Sequence, residues 1–178
     1  MKRIKWLLAC ACVLLLAGCQ EESTTTNVVK EGTLYEVGTE VDFYYPSSFT
    51  LTNQADDAAA IATTSNTIQF QDDDELLIYM ITYDATENTS DEKKVFYVSE
   101  LEQYGATGVT VSQPILESGI TVYEVTGYYN DIGMRFKHIV YFSEDKTYIY
   151  AYRADTVTYE SRIDYITTFL KTLTIDKT

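Results

Sequence analysis

The stretch that decides the fold is Ile120–Arg153, which reads ITVYEVTGYYNDIGMRFKHIVYFSEDKTYIYAYR. It contains three segments rich in β-branched and aromatic residues, as strands are: Ile120–Tyr129, Met134–Phe142 and Thr147–Arg153. The connectors NDIG and SEDK have the composition of tight turns. Because short turns join antiparallel neighbours, the stretch predicts a three-stranded antiparallel meander.

Further strand patterns lie upstream of the meander. They are Leu34–Val37, Glu40–Tyr45, Ser48–Thr52, Thr67–Gln71, Leu76–Tyr83 and Val109–Leu116. Pro114 interrupts the last of them, which predicts that this strand lies near a sheet edge, because proline cannot donate to a strand ladder.

Two helices are predicted around these strands. Thr89 and Glu92 have the spacing of a capping box, and Tyr97, Leu101 and Tyr104 follow on one helical face. A second helix is predicted over Val157–Leu173. This order of elements predicts an α+β fold with a central antiparallel sheet flanked by helices.

The N-terminus has the pattern of an export signal. Three cationic residues lie within the first five positions, and the run Trp6–Ala17 is apolar and too short to span a bilayer. The segment Leu16-Ala17-Gly18-Cys19, which overlaps the end of this run, resembles the lipobox of bacterial lipoprotein precursors. That resemblance implies a covalent diacylglycerol on Cys19, cleavage after Gly18, and a location on the extracytoplasmic side of the bacterial cell membrane.

The sequence therefore divides into three parts. Residues 1–18 are a lipoprotein signal peptide, residues 19–33 are the lipidated cysteine and a flexible polar tether, and residues 34–178 are a single globular domain. No cysteine besides Cys19 remains after residue 18, so the fold is expected to rely on its core without disulfides.

The chain is strongly acidic, with a formal net charge of −14. Loss of Lys2, Arg3 and Lys5 with the signal peptide brings the charge to about −17. Nucleic acid is excluded as a partner, because its binding depends on cationic contacts to phosphate.

The segment Phe43-Tyr44-Tyr45-Pro46, the meander and the closing helical pattern from Tyr159 to Leu170 together resemble the PsbP-like family, which is named for an extrinsic subunit of photosystem II. The resemblance implies an α/β/α sandwich and a role as an accessory or partner-binding protein. A cystatin-like or nuclear-transport-factor-like sheet fits the same order of elements. No ion-binding motif of the photosynthetic members is present, so no site residue is carried over.

Residues able to perform catalysis are scarce. His138 is the only histidine, it shares a strand face with apolar residues, and a lone histidine needs a positioned partner for acid–base work. There is no Gly-x-Ser-x-Gly motif and no phosphate-binding glycine loop. We therefore predict that the protein is not an enzyme and has no cofactor besides the lipid on Cys19.

Two groups of residues are candidates for binding. Asp72, Asp73, Asp74 and Glu75 offer oxygen ligands but lack the spacing of a calcium loop, so a solvated turn is expected rather than a metal site. Tyr148, Tyr150 and Tyr152 alternate onto one strand face and are interpreted as an interaction surface, with packing beneath the last helix as the alternative.

Two hypotheses of function follow. The first is a membrane-anchored, non-catalytic accessory lipoprotein that binds an envelope protein. The second is a lipoprotein that binds a small ligand or a metal ion. A ligand site should appear as a cavity and a protein interface as an exposed apolar patch.

Replacement of Cys19 by alanine tests the anchor. Cys19→Ala should abolish acylation and normal maturation, because the thiol is the only acceptor for diacylglycerol. Intact-mass measurement of membrane-extracted protein checks this, and a wild-type mature protein with an unmodified N-terminus would contradict it.

Overall fold

A computed structural model describes residues 31–54, 65–83 and 88–176. The predicted signal peptide, Cys19 and most of the predicted tether lie outside these ranges. Among the described residues, neither helix combines the length and the hydrophobicity needed to cross a bilayer.

The described residues form ten strands and two helices. In chain order they are β1 (Gly32–Val37), β2 (Val41–Pro46), β3 (Thr50–Gln54), β4 (Ser65–Asp72), β5 (Glu75–Tyr83), α1 (Ser90–Gln103), β6 (Ala106–Ser112), β7 (Tyr123–Tyr129), β8 (Met134–Phe142), β9 (Lys146–Asp155), α2 (Thr156–Leu170) and β10 (Thr174–Ile175).

The strands make two antiparallel sheets. The large sheet has the order β3-β4-β5-β9-β8-β7-β6, and the small one has the order β1-β2-β10. Strands β7, β8 and β9 are consecutive neighbours, so the predicted meander and the central antiparallel sheet are confirmed. Strand β9 closes the meander and also pairs with β5, which makes it the middle strand of seven.

The first hydrophobic core lies on the face of the large sheet that carries Tyr150. Phe43 from the small sheet stacks against Tyr150 with ring centroids 4.5 Å apart, and against Tyr79 at 5.1 Å. Ile166 and Leu170 of α2 belong to the same buried cluster. Helix α2 and the small sheet therefore share the cover of this face.

The second core lies on the opposite face, because side chains alternate along a strand. It contains Ile149 and Ala151 of β9 together with Phe136 and Val140 of β8, all buried. Leu101 of α1 closes it from above. Each helix thus covers only part of one face in a molecule that is mostly sheet.

Helix α1 begins as the sequence predicts. The Thr89 hydroxyl accepts a hydrogen bond from the Glu92 amide, and the Glu92 carboxylate accepts one from the Thr89 amide, which completes the capping box. The other end differs from the prediction. Tyr104 is the C-cap and is exposed rather than packed, because the chain turns there towards Gly105.

Several further boundaries differ from the predicted ones, among them those of β6, α2 and β1. Strand β6 ends at Ser112, before Pro114, and lies at the sheet edge as predicted. Helix α2 ends at Leu170, and the residues that follow form β10, which pairs with β2 and has no signal in the sequence. Residues 32 and 33, assigned to the tether, belong to β1 because they pair with Pro46 and Tyr45.

The large sheet has two ends that the register defines. At one end Tyr129 pairs with Met134, and Met134 with Asp155; we call this the Asp155 end. At the other end Phe142 pairs with Thr147 beside Lys146; we call this the Lys146 end. Helix α1 begins at the Lys146 end, where the Lys93 ammonium donates to the carbonyl oxygens of Ser143 and Glu144, at 2.8 and 2.9 Å.

Substitutions of Tyr150 test how the two sheets are joined. Its ring is fully buried, and its hydroxyl donates to the Tyr44 carbonyl oxygen at 2.9 Å. Tyr150→Ala should lower the free energy of unfolding by about 3–5 kcal/mol, because the cavity cannot collapse between two sheets. Tyr150→Phe should cost only about 1 kcal/mol, the value of one hydrogen bond.

Urea unfolding followed by circular dichroism measures both changes, with exposed Leu34→Ala as the matched control. Equal effects of Tyr150→Ala and Leu34→Ala would contradict this account of the core.

Candidate interaction groove

The three tyrosines interpreted as an interaction surface lie in the core. Tyr148, Tyr150 and Tyr152 are all buried in the first hydrophobic core. The prediction of an exposed tyrosine face is therefore wrong, and the alternative of packing holds. The tyrosines are buried because α2 and the small sheet cover the face to which their side chains point.

The acidic turn between β4 and β5 directs its inner carboxylates to protein groups. The buried Glu75 carboxylate accepts from the Tyr152 hydroxyl at 2.6 Å and from Arg162 Nε at 3.1 Å. Asp72 lies 3.8 Å from Arg162 Nη2, while Asp73 and Asp74 form the exposed tip. Within residues 31–54, 65–83 and 88–176, no three His, Cys, Asp or Glu side chains are grouped to hold a metal ion.

His138 lies between α1 and the sheet. Its Nδ1 is 2.8 Å from the Tyr97 hydroxyl, and its ring stacks on Phe136 with centroids 4.6 Å apart. Burial, and to a smaller extent the positive charge of Arg153, lowers the pKa of His138 to about 3. The imidazole is therefore neutral near pH 7 and is a very weak base, which suits packing rather than proton transfer.

An open apolar groove lies at the Lys146 end of the sheet, between α1 and the edge formed by β6 and β7. Its volume is about 470 Å³. It is lined by Lys94, Val95, Val98 and Ser99 of α1, by Val111, Ser112 and Gln113 at the end of β6, and by Tyr123 at the start of β7. Valines thus form both walls.

One rim of the groove is polar and held in place. The Asp91 carboxylate accepts from the Lys94 ammonium at 2.8 Å and from the Tyr123 hydroxyl at 3.2 Å. The Lys94 ammonium also lies 5.5 Å from the centroid of the Tyr123 ring. The hydrogen bond and charge of Lys94 lower the pKa of Asp91, so this rim keeps its ion pair at neutral pH.

The surface around the groove is apolar and unusually exposed. Val95 and Phe96 are each more than half exposed although they are neighbours in the middle of α1, and Ile115 beyond the end of β6 is exposed as well. Val95 also lines the groove, and exposed apolar side chains at an apolar groove favour an interaction site.

Strand β6 places an outer edge of the large sheet beside the groove. It is the outermost strand on this side of the large sheet, so the described residues supply no strand beyond it. A bulge between Thr107 and Thr110, with Gly108 at a φ of +60°, disturbs the first half of the strand. The regular remainder, Thr110–Ser112, lies beside the groove and pairs only with β7.

A signal for this groove is present in the sequence. The run Val95-Phe96-Tyr97-Val98 has four apolar residues in succession, and a helix with one buried stripe cannot bury all four. The same β-branched and aromatic run also has strand propensity, but the structure places it in α1, with Val95 and Phe96 outside the core.

Comparison with known proteins bears on the fold. The solution structure of CyanoP, the cyanobacterial PsbP of Synechocystis sp. PCC 6803, superposes with a TM-score of 0.58 over 82% of this chain and 93% of that chain, at 15% sequence identity. The fold is PsbP-like. At this identity the PsbP-like fold is all that the likeness establishes.

Other comparisons add nothing further. The crystal structure of PA94 from Pseudomonas aeruginosa, a protein of unknown function, matches 83% of this chain and 99% of that chain with a TM-score of 0.47 and 12% identity, too distant to support a conclusion. No protein-family model and no curated protein matches the sequence.

The low pKa of His138 predicts how stability depends on pH. The unfolded chain takes up a proton near pH 6.5 and the folded chain only near pH 3, so stability falls as pH drops through this window. Between pH 7 and pH 5 the free energy of unfolding should fall by up to about 2 kcal/mol. His138→Gln should remove this dependence.

The pH range 7 to 5 isolates the histidine. Hydrogen bonds lower the pKa values of Asp91, Glu92 and Asp155 in the folded protein. The stabilisation that these carboxylates contribute is therefore lost only in more acidic solution. Urea unfolding at several pH values provides the measurement. An equal slope in wild type and His138→Gln would show that another group is responsible.

Proposed function

We propose that the protein is a membrane-anchored extracytoplasmic lipoprotein of a bacterial cell, held by diacylglycerol on Cys19. Within this proposal it acts as a non-catalytic accessory module that binds another envelope protein. The PsbP-like fold is compatible with this role, and the lipobox-like residues Leu16–Cys19 support the anchor.

The observation that carries the proposal is the groove beside a free sheet edge. An apolar groove and an unpaired strand together suit an extended polypeptide, which adds to the edge through its backbone and inserts side chains into the groove. Thr110–Ser112 would supply the backbone pairing, and Val95, Val98 and Val111 the pocket for one bulky apolar side chain.

A non-catalytic role is favoured by the state of the one histidine. His138 is packed against Phe136 and Tyr97 and is neutral near pH 7, and neither Asp nor Glu is hydrogen-bonded to its ring among the contacts of the described residues. The groove itself is lined by valines, serines, Gln113, a tyrosine whose hydroxyl donates to Asp91, and Lys94, whose ammonium is also paired with Asp91.

A small apolar ligand is the second candidate for the same groove. Its volume of about 470 Å³ falls within the range of small-molecule sites, which extends over roughly 300–1,000 Å³. The valine lining favours an apolar ligand over a metal ion, which would require oxygen, nitrogen or sulfur donors.

Site-specific photo-crosslinking tests the partner. A photoreactive residue at Ser112, on the free edge, should cross-link to one envelope protein through an extended segment of that protein. A synthetic peptide of that segment should then bind the domain, and Val95→Glu with Val98→Glu should weaken this binding by about tenfold or more, because a carboxylate would be buried without a partner. Isothermal calorimetry provides the affinities.

Leu34→Glu is the matched control, since Leu34 is an exposed apolar residue of β1 in the small sheet. It should leave the peptide affinity unchanged, and melting curves should show that all variants fold. Cross-linking at Ser112 no stronger than at Leu34 would refute the protein partner. A lipophilic molecule that copurifies with wild type, but not with the double variant, would favour the small ligand instead.

A further inference from the structure

A second group of exposed apolar residues lies at the opposite end of the sheet from the groove. Tyr104, Ile132 and Val157 are 77%, 60% and 78% exposed. They are large apolar side chains that none of the cores uses. Ala106, Tyr129, Met134 and Asp155 pair side by side across β6, β7, β8 and β9 at the Asp155 end. Each of the three exposed residues lies within two residues of one of these four, so all three belong to the Asp155 end.

These three residues come from the three layers of the molecule. Tyr104 caps α1 on the face of the second core, and Ile132 lies in the turn between β7 and β8, within the sheet layer. Val157 lies in the first turn of α2, on the face of the first core. The half-exposed ring of Tyr128 adjoins this group on β7. Exposed apolar side chains therefore occur in all three layers at this end of the molecule.

The chain from Cys19 enters the domain at this same end. The Ser47 amide donates to the Glu31 carbonyl oxygen at 3.1 Å, and Gly32 pairs with Pro46 at the end of β2. Strand β2 runs in the same direction as β9. Its Glu40 forms an ion pair with Lys146 at 2.8 Å, its Phe43 stacks on Tyr150, and Tyr150 donates to the Tyr44 carbonyl oxygen. Pro46 and Glu31 therefore lie towards the Asp155 end.

The length of the intervening chain keeps this end close to the anchor. The segment from Cys19 to residue 30 contains twelve residues, and a flexible chain of twelve residues would span about 20 Å. A surface held within this distance of a bilayer experiences a high effective concentration of it, so that individually weak contacts become occupied.

Charge divides the Asp155 end into two halves. The β4–β5 turn carries Asp72, Asp73 and Asp74, and Glu31 lies on the same side. The half formed by β6 to β9 carries the apolar residues, with Asp131 beside Ile132 and with Arg135 bound to Glu160 at 2.8 Å. Among the described residues of this end, Arg135 and Arg162 are paired with carboxylates and no cationic cluster favours anionic lipid, so the surface suits a zwitterionic bilayer that it enters through its apolar half.

We propose that Tyr104, Ile132 and Val157 form a footing that inserts into the lipid bilayer to which Cys19 is anchored. This inference rests on the proposed lipid anchor and adds an orientation to it. With the Asp155 end on the membrane, the groove at the Lys146 end points away from it. Tyr123 and Tyr129 mark the two ends on β7, about 20 Å apart. The groove is thus presented to partners in the surrounding envelope space.

Tryptophan reporters test the footing. Trp6 is the only tryptophan of the chain, and Cys10, Cys12 and Cys19 are the only cysteines, so the chain 19–178 has no tryptophan and a single thiol. That chain is to be coupled at Cys19 to a maleimide lipid in phosphatidylcholine vesicles. Ile132→Trp is the reporter, and Phe96→Trp, at a similarly exposed residue in the middle of α1, is the matched control.

The expected result is a shift of Ile132→Trp emission to shorter wavelength on vesicles, with quenching by brominated lipid, and no change for Phe96→Trp. Val157→Asp added to the reporter should reduce the inserted fraction by about tenfold or more, as the loss of one buried aliphatic side chain implies. Replacing part of the phosphatidylcholine by phosphatidylglycerol should weaken insertion.

Three results would overturn the proposal. They are an unshifted Ile132→Trp reporter, equal shifts of both reporters, and a shift that requires added membrane proteins. Chemical coupling makes the test independent of acylation in the cell. If the reporters show no insertion, the proposed lipid anchor on Cys19 is unaffected. If Cys19 is unmodified in the native protein, the anchor is refuted, but the vesicle measurement still shows whether this end of the domain inserts.

Discussion

The burial of β9 on both faces is the constraint on which the rest of the structure depends. Six consecutive residues, Thr147–Tyr152, are buried. A strand buried in this way needs a layer on each side, and the chain supplies α2 with the small sheet on one face and α1 on the other. Tyr150 joins the sheets through its stacking on Phe43 and its hydrogen bond to Tyr44. Other contacts support this junction, among them the stacking of Tyr45 on Phe70 at 4.2 Å and the packing of Phe43 on Tyr79.

The two helices and the small sheet cover the large sheet incompletely, which explains where the candidate interaction surfaces lie. Two short helices cannot enclose a sheet of seven strands, so apolar residues remain exposed where the cover ends. Two sets of them lie at opposite ends, one at the groove beside β6 and the other at the footing around Ile132, while Leu34 is exposed on the small sheet. A cell-surface protein with one apolar end towards the membrane and another towards a partner can hold both at a defined separation. Such a division of surfaces suits an accessory module without chemistry of its own.

Local sequence signals were sufficient wherever the structure depends on neighbouring residues. The meander follows from strand composition and tight turns, and the capping box at Thr89 follows from two polar residues three positions apart. Tyr104 and β10 could not be predicted in this way. The exposure of Tyr104 depends on the turn that follows the helix, and β10 exists because Thr174 and Ile175 meet the distant strand β2. Contacts between residues far apart in sequence leave no local pattern.

The sequence by itself determined the α+β class, the antiparallel meander, the edge position of β6, the acidic character and the lipobox-like segment, because each is a matter of composition or short-range order. Only the tertiary structure decided whether the tyrosines of β9 are buried or exposed. Alternation places Tyr148, Tyr150 and Tyr152 on one face, but whether that face meets solvent or α2 depends on how the helix and small sheet pack. The groove likewise exists only in the tertiary structure, because Val95 and Val111 line it together only when α1 lies beside the end of β6.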